Sequence, residues 1–279
     1  MADFYIDTAD SSDDVASAEA IAKGLKEGHT AEKPGYWIHV SGTAILCWYD
    51  ARNERYGEAP LPEQAYNDVT SIEKLRNLPD DAFHRNVDKI VQASNTDAVR
   101  TAIVCPPTIY GSGRGAVNTR SMQVPNLAKA ALEKGFVPIV GAGKTEWDHV
   151  HVDDLGEMMS QLAGASQDSS KRDDREIFGP NGYFFVENGT HKWGEVAKWV
   201  AAEASRQGYL PEALTKTVSR TEVDNTSLAG APTWSINSKG KAQRAKERLG
   251  WKATGVSLRD TIGEIVKVEA KALGLTPKE

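Results

Sequence analysis

The order of the apolar segments near the amino terminus constrains the fold of this chain more than any other feature. Residues 3–9 form a short apolar run, residues 15–27 repeat apolar side chains at helical spacing, and residues 36–40 are aromatic and β-branched. This pattern predicts a strand, a helix and a buried strand joined by short connections. Such a unit builds a parallel sheet, because the crossover helix returns the chain to the edge where the first strand began.

The same unit recurs further along the chain. A helix is predicted over residues 81–94, with Phe83 on its apolar face, and a strand is predicted over residues 100–104. That strand ends at Pro106 and Pro107, because proline cannot extend a ladder of hydrogen bonds. We therefore predict an α/β fold in which helices flank a parallel sheet.

The chain divides at a charged, serine-rich stretch, residues 166–176. Residues 1–165 hold the strand and helix units, which also include a predicted helix at 123–134 and a strand at 136–140. Residues 166–279 are predicted to form a small C-terminal α+β lobe. Its predicted elements are a strand at residues 183–186 and helices at 192–204, 239–249 and 258–272.

Composition excludes several classes of partner. The formal net charge is −6 and Lys and Arg form no continuous run, so we expect no contact with nucleic acid. The apolar runs are far shorter than a membrane span and the first residues lack the basic flank of a signal peptide, so we expect no membrane contact and a cytoplasmic location. Cys47 and Cys105 lie in or beside apolar segments, and we expect both to be buried and free.

Five segments carry a resemblance to a known family through their order along the chain. They are residues 6–9 and 40–41 at two strand ends, Cys-Pro-Pro-Thr-Ile-Tyr-Gly at 105–111, Val-His-Val-Asp-Asp-Leu at 150–155, and Lys-Ala-Gln-Arg-Ala-Lys-Glu-Arg-Leu-Gly-Trp at 241–251. Together they resemble extended short-chain dehydrogenase/reductases, the NAD-dependent epimerase/dehydratase family. The resemblance implies a Rossmann-like nucleotide-binding domain at 1–165 and a substrate-binding lobe at 166–279.

By resemblance, the chain is an NAD(P)-dependent oxidoreductase or an epimerase/dehydratase-like protein. The cofactor is NAD or NADP, and the substrate is a small carbonyl or hydroxyl compound. Two copies would pair as a homodimer through the helices beside the sheet. The residues that correspond to the family's cofactor site are Thr8, Ala9, Ser41, Pro107 and Thr108, and those that border its substrate cleft are Tyr110, Trp147 and His149.

The catalytic pattern of the family is only partly present. Ser41 corresponds to the residue that holds the substrate oxygen, and Thr43 is its nearest substitute. The Tyr-x-x-x-Lys pair is absent: His84 stands near the place of the lysine, and the tyrosine position falls on Asp80. His can act as an acid or a base near neutral pH, so His84 is a candidate catalytic residue. Tyr66 lies near the usual distance from Ser41 along the chain and is a further candidate.

The resemblance also implies that three strands and two helices of the family's sheet, with its glycine-rich turn, have no counterpart here. The sequence contains no G-x-x-G-x-x-G turn, whose backbone amides would bind a pyrophosphate, so we expect NADH to bind no more tightly than the millimolar range. We also expect residues 3–9, or a neighbouring strand, to form an uncovered sheet edge and the chain to self-associate.

Two alternatives to a catalytic role stay open. One is a non-catalytic relative that binds or regulates through the same cleft, and the other is a shortened product of a longer enzyme. His149 and His151 share one face of a strand, but we find no third ligand at a suitable spacing and expect no metal site.

Overall fold

The strands and helices alternate along most of the chain in the computed structural model, which describes residues 3–8, 10–226 and 228–277. In chain order the strands are β1 (Phe4–Asp7), β2 (Gly35–Val40), β3 (Ala65–Asn67), β4 (Val99–Cys105), β5 (Thr108–Tyr110), β6 (Val137–Val140), β7 (Glu146–His151), β8 (Tyr183–Phe185), β9 (Gly189–Lys192), β10 (Thr215–Val218) and β11 (Lys239–Lys241). The helices are α1 (Val15–Gly28), α2 (Trp48–Arg52), α3 (Ile72–Arg76), α4 (Arg85–Ala93), α5 (Gln123–Lys134), α6 (Val152–Ala165), α7 (Trp193–Arg206), α8 (Arg220–Asp224) and α9 (Leu258–Ala272).

The main sheet is parallel, with the strand order β1-β2-β4-β8. The aromatic and branched residues of β2 fill its centre, where Trp37 and Ile38 are fully buried between the neighbouring strands. Helix α1 returns the chain from β1 to β2, and the Asp14 side chain caps it by accepting a hydrogen bond from the Ser17 amide at 2.9 Å. The prediction of a Rossmann-like parallel sheet flanked by helices is confirmed.

Helix α4 begins later than the sequence pattern predicts. It starts at Arg85 rather than near residue 81, and Phe83, which we placed on the apolar face, lies outside the helix with 45% of its surface exposed. The backbone of His84, directly before the helix, is left-handed with φ +63°. This conformation stops the helix from extending backwards through residues 81–83.

The fourth strand of the main sheet comes from beyond the predicted boundary at residues 165 and 166. Strand β8 pairs in parallel with β4, and all three of its side chains are buried. A segment that we assigned to the C-terminal lobe therefore completes the sheet of the first domain.

The remaining elements form a second hydrophobic core. Helices α5, α7 and α9 pack against one another and against the two-stranded sheet of β6 and β10. The predicted strand at 136–140 is therefore present, but outside the main sheet. A second sheet joins β5, β7 and β9, with β7 and β9 antiparallel. The helix predicted at 239–249 is wrong: β11 occupies its start, and Ala245–Leu249 is a single π-helical turn.

Strand β1 forms the edge of the main sheet, as predicted. Within the described residues it pairs only with β2, and Tyr5 and Ile6 expose 36% and 44% of their surfaces. Cys47 and Cys105 are buried and free, which confirms that prediction. Among the helices described here, none is long and apolar enough to cross a membrane.

Candidate functional site

The carboxyl end of β2 holds Ser41, which the strand delivers to the edge of the main sheet. The Ser41 amide donates to the Val104 carbonyl at 2.8 Å, so the ladder between β2 and β4 continues one residue past the strand. The Ser41 side chain is buried, and its hydroxyl oxygen makes no hydrogen bond of good geometry to any residue that the structure describes. An unpaired buried hydroxyl is costly, but this oxygen has almost no accessible surface, so it could donate to a ligand only after the Ser41 side chain turns toward the strand edge.

His84 lies beside Ser41 across a single glycine. A Cβ atom on Gly42 would stand 3.3 Å from His84 Nε2, so the imidazole rests directly on the residue that follows Ser41. His84 Nδ1 lies 2.9 Å from Asp13 Oδ1, and only 16% of the His84 side chain is exposed. The left-handed backbone of His84 costs about 1 to 2 kcal/mol, and such strain is found most often at functional sites. The structure therefore brings together two of the predicted catalytic residues, with Asp13 as a third member.

Two buried polar residues that we did not predict lie beneath this pair. His39 is on β2 and Asp88 is on α4, and neither has any exposed side-chain surface. Two signals in the sequence could have found them. His39 interrupts an apolar strand two residues before Ser41, and Asp88 stands four residues after His84.

The predicted cofactor residues differ in exposure. Thr8 is exposed just past β1, whereas Pro107 and Thr108 are buried where β4 leads into β5. Ala9 lies outside the described residues. Thr43 is buried below Ser41, where its amide donates to the Pro106 carbonyl at 3.1 Å. Thr43 thus lies beneath the strand ends and is not at their accessible surface.

Tyr66 lies in another part of the molecule. It is on β3, which pairs with β11, and its hydroxyl accepts a hydrogen bond from Trp48 Nε1 at 3.2 Å. Burial raises the pKa of Tyr66. No described contact joins Tyr66 to Ser41 or His84. Its catalytic role stays a prediction with no support from the geometry.

The predicted substrate residues lie on the second sheet and are buried. The Tyr110 hydroxyl donates to the Val256 carbonyl at 2.6 Å, and Trp147 Nε1 donates to the Ile236 carbonyl at 2.5 Å. His149 Nδ1 lies 3.1 Å from His191 Nδ1, and burial lowers the pKa of His149 to about 4. Because these polar atoms are already paired within the protein, their contacts with a substrate stay predictions.

A cavity of about 340 Å³ opens where the second sheet meets α9. Gly111 and Ser112, which follow β5, line one side, and Ile265 and Val268 line the other. At its wall the Arg120 guanidinium binds both carboxylate oxygens of Glu269, at 2.7 and 3.0 Å. A larger groove of about 710 Å³ borders residues 250–253, and neither this groove nor the 340 Å³ cavity is lined by Ser41 or His84.

The described residues contain no group of three or more His, Cys, Asp or Glu side chains that could hold a metal ion. The two histidines of β7, His149 and His151, therefore have no third metal ligand among the described residues. His149 pairs with His191, while His151 Nδ1 accepts a hydrogen bond from the Asp153 amide at 3.2 Å.

Comparison with known proteins agrees with this arrangement. The model of the NAD dependent epimerase/dehydratase family matches residues 68–177. An oxidase named ucsJ from an Acremonium species is 34% identical over 271 residues, which cover 93% of this chain and 76% of that protein. The chain belongs to the NAD dependent epimerase/dehydratase family. Its main sheet is the Rossmann-like parallel sheet seen in solved structures of the family.

Solved structures of this family share the fold at low sequence identity. A dTDP-glucose 4,6-dehydratase from Bacillus anthracis, in complex with NAD, has a TM-score of 0.61 at 13% identity over 96% of this chain and 73% of that one. A UDP-glucuronic acid 4-epimerase from Bacillus cereus, in complex with UDP-glucuronic acid and NAD, has a TM-score of 0.56 at 15% identity over 92% of this chain and 66% of that one.

The chain departs from the epimerase/dehydratase pattern at the tyrosine position. Asp80 stands there, and it is exposed and forms an ion pair with Lys89 at 2.9 Å, which lowers the pKa of Asp80. The Asp80 carboxylate is thus paired with Lys89 at the protein surface. The residues at this edge of the sheet that could exchange a proton with a bound molecule are Ser41 and His84.

Proposed function

We propose that this chain is an NAD(P)-dependent oxidoreductase or epimerase/dehydratase-like protein that acts on a small carbonyl or hydroxyl compound. The observation that carries the proposal is the close approach of His84 to Gly42, the residue after Ser41, at the carboxyl edge of the parallel sheet. In open α/β sheets, ligands bind in the crevice outside the carboxyl ends of the strands. A hydroxyl without a partner and an imidazole beside it are the groups that such a reaction needs there.

Each residue has a distinct role in the proposal. Ser41 donates a hydrogen bond to the substrate oxygen, which costs little because its hydroxyl has no other partner of good geometry in the described chain. His84 exchanges a proton with that oxygen or its neighbour, and Asp13 holds the ring through Nδ1 so that Nε2 faces Gly42 and the site. The nicotinamide cofactor would supply the hydride chemistry when bound.

The residues present fit the nicotinamide half of the cofactor better than its adenosine half. Thr8 is exposed and could contact a nicotinamide ring or its ribose, whereas the covered Ser41 hydroxyl would first have to turn toward the strand edge. These 279 residues contain no glycine-rich turn that could approach the pyrophosphate. We therefore expect NADH and the smaller reduced nicotinamide mononucleotide to bind with equal, millimolar affinity.

The cavity beside Gly111 is the proposed substrate pocket. It begins directly after β5, on the same chain segment as Pro107 and Thr108. Its size suits a small organic molecule. The solved relatives bind nucleotide-linked sugars and the related fungal protein is named an oxidase, and both facts support a carbonyl or hydroxyl substrate.

A non-catalytic binding role is the second candidate function. The ion pair between Asp80 and Lys89 favours it. Without a tyrosine at that position, the site has lost the usual proton donor of the family. The fold and the Ser41 site could then bind a nicotinamide or a carbonyl compound without turning it over.

The test combines binding and turnover on the full chain. NADH, NADPH and reduced nicotinamide mononucleotide are titrated by calorimetry and by saturation-transfer NMR, and a panel of small aldehydes and ketones is screened for loss of reduced-nicotinamide absorbance. We expect weak binding of all three probes and turnover of at least one carbonyl compound. Ser41→Ala and His84→Gln should abolish that turnover.

His29→Asn is the matched control. His29 is a buried histidine at the amino end of β2, where its ring packs against Gly35, so it lies at the opposite edge of the same sheet. The variant should keep both binding and turnover. Binding without turnover would favour the non-catalytic role, and the lack of any binding by all three probes would contradict both candidates.

A further inference from the structure

A chain of buried polar groups crosses the main sheet beneath Ser41. His39 Nδ1 lies 3.2 Å from Asp7 Oδ2 on the neighbouring strand, and His39 Nε2 lies 3.8 Å from Asp88 Oδ1 on α4. His39 and Asp88 are completely buried, whereas 11% of the Asp7 side chain is exposed. The imidazole thus connects a buried carboxylate to one that reaches the surface at the sheet edge.

Asp88 has a second group of partners on its other side. Its Oδ2 accepts a hydrogen bond from the Tyr183 hydroxyl at 2.9 Å. Burial raises the pKa of Asp88, while His39, the Ser41 hydroxyl, Tyr183 and His84 oppose that rise. The Ser41 hydroxyl therefore lies close to this carboxylate, although the two do not complete a hydrogen bond of good geometry.

His39 Nε2 and Asp88 Oδ1 face each other, and within the described chain neither atom has a hydrogen-bond partner. Buried polar atoms are nearly always paired, so a proton must serve both of them. That proton can be on His39, which leaves an imidazolium between two carboxylates, or on Asp88, which leaves a neutral imidazole.

These two arrangements carry the same total charge. With an ionised Asp7 each sums to −1, so moving the proton between His39 and Asp88 creates no additional buried charge. The main barrier to charge movement inside a protein is the cost of desolvating a new ion. The arrangement removes that cost and lets the proton move easily.

We propose that Asp88 and His39 form a proton relay that links Ser41 to the solvent at Asp7. The proposal rests on the proposed function, because it supplies the proton that the missing tyrosine would provide. Ser41 touches the substrate, and Asp88, His39 and Asp7 act through it as positioning and proton-transfer residues.

Each step of the relay conserves protons. The Nε2 proton of His39 first moves to Asp88, and His39 becomes a neutral imidazole whose Nδ1–H still donates to Asp7. When the substrate oxygen then takes the Ser41 proton, the Ser41 O–H bond breaks and Ser41 takes that proton from Asp88, which is left as a carboxylate. A proton that Asp7 accepts from water restores the imidazolium after the ring turns and exchanges its two nitrogens. The reverse sequence removes a proton from a substrate hydroxyl.

Tyr183 and Cys105 do not offer a competing proton at neutral pH. Burial raises the pKa values of Tyr183 and Cys105, which face Asp88 from β8 and β4, well above their usual range. His84 faces Asp88 from the start of α4, and its ring is bound to Asp13 of the loop after β1. Trp37 packs edge-on to His39 and carries no charge.

NMR on the full chain labelled with 15N-histidine tests the relay without any ligand. We expect the two ring nitrogens of His39 to show protonated-type or shared-proton shifts, since a carboxylate faces each of them. The His39→Gln variant assigns these signals by their loss. In Asp88→Asn only Nδ1, which faces Asp7, should keep a proton.

Exchange with water separates a relay from a purely structural pair. We expect the Nε2 proton of His39 to exchange with water about tenfold more slowly in Asp7→Asn, which closes the exit to solvent. Asp148→Asn is the matched control, because Asp148 is another buried carboxylate and lies in the second sheet. It should leave the His39 signals unchanged.

The results distinguish the relay from the proposed function. A His39 ring with one fixed proton, unchanged in Asp88→Asn, would overturn the relay, as would exchange that is indifferent to Asp7→Asn. Should Asp88→Asn fail to fold, the Asp7→Asn arm decides alone. Because no nicotinamide or carbonyl compound is present, a failed turnover screen leaves these outcomes intact.

Discussion

Burial shifts the pKa values of two neighbouring residues of β7 in opposite directions. It lowers the pKa of His149 from 6.5 to about 4, and it raises the pKa of Asp148 from 3.8 to about 6. In both cases the protein interior disfavours the charged form. His191, stacked on His149, shares the effect, since burial and the His149 charge lower the pKa of His191 well below its usual value.

The two residues therefore make opposite contributions to stability in acid. Between pH 6.5 and about 4, the unfolded chain binds a proton at His149 and the folded chain does not, so acidification lowers the free energy of unfolding by up to about 3 kcal/mol. Between pH 6 and 3.8, the folded chain binds a proton at Asp148 and the unfolded chain does not, so acidification raises that free energy by a similar amount, about 3 kcal/mol.

Substitution of each residue should change the pH dependence with opposite sign. We expect the loss of unfolding free energy between pH 7 and pH 4.5 to be smaller than wild type in His149→Asn, which keeps a nitrogen or oxygen near His191 Nδ1, and larger in Asp148→Asn. Urea unfolding at the two pH values measures both differences. The same direction of change in the two variants would contradict the pKa shifts.

For individual residues, the sequence predicts the functional side chains that belong to a recognisable motif. It does not predict the partners that only the folded chain brings close to them. Ser41 follows from the end of a buried strand, and His84 follows from its alignment with a family helix. The partner of His84 is Asp13, which is 71 residues away and is marked by no motif. The left-handed backbone at His84 has no local signal, because Gly and Asn are the residues that usually mark it.

Among the secondary-structure elements, β1 has the most direct consequence for behaviour in solution. Its outer edge has no partner among the described strands, and Ile6 and Tyr5 are partly exposed beside it. An exposed strand with apolar side chains is a template for pairing with another chain. The structure thus supports the expectation that the protein self-associates.

A charge on this strand should reduce the self-association. We expect sedimentation velocity to show concentration-dependent assembly of the wild-type chain and a smaller fraction of assemblies for Ile6→Lys, because lysine on an edge strand opposes pairing. Val268→Lys is the control, since Val268 is similarly exposed, at 48%, but lies on α9. A monodisperse wild-type monomer at all concentrations would contradict the expectation, and so would an equal effect of the two variants.

The local sequence pattern predicts most helices and strands. It does not predict which strands pair with each other in a sheet. Helices α5 and α9 have the predicted boundaries within a residue or two, because each is a long amphipathic segment. The apolar run of β6 predicts a strand, but nothing in it reveals that its partner is β10 and not the main sheet. Sheet membership depends on contacts far apart in sequence, which the alternation of side chains does not encode.

For the whole molecule, the C-terminal segment joins the two cores. Trp251 packs in the core of the main sheet, whereas Leu258 and the rest of the apolar face of α9 pack in the second core. The connection between them is held by Asp154 of α6. Its carboxylate accepts hydrogen bonds from the Thr254 amide at 2.8 Å, and from the Gly255 amide at 3.0 and 3.1 Å. Helix α6 itself is capped by His151.

Removal of the Asp154 carboxylate should therefore uncouple the two cores. We expect Asp154→Ala to lower the free energy of unfolding by about 3 kcal/mol, because it removes the buried acceptor shared by two backbone amides and the Asn188 side-chain amide. Asp153→Ala is the matched control, and its cost should stay below about 1 kcal/mol, since Asp153 is exposed and its partner Arg114 is exposed as well. Urea unfolding gives both values.

Hydrogen exchange shows where the protein is destabilised: the Thr254 and Gly255 amides should lose protection in Asp154→Ala and keep it in Asp153→Ala. Equal costs, or protection at these amides that survives in Asp154→Ala, would show that packing of Trp251 alone holds the connection.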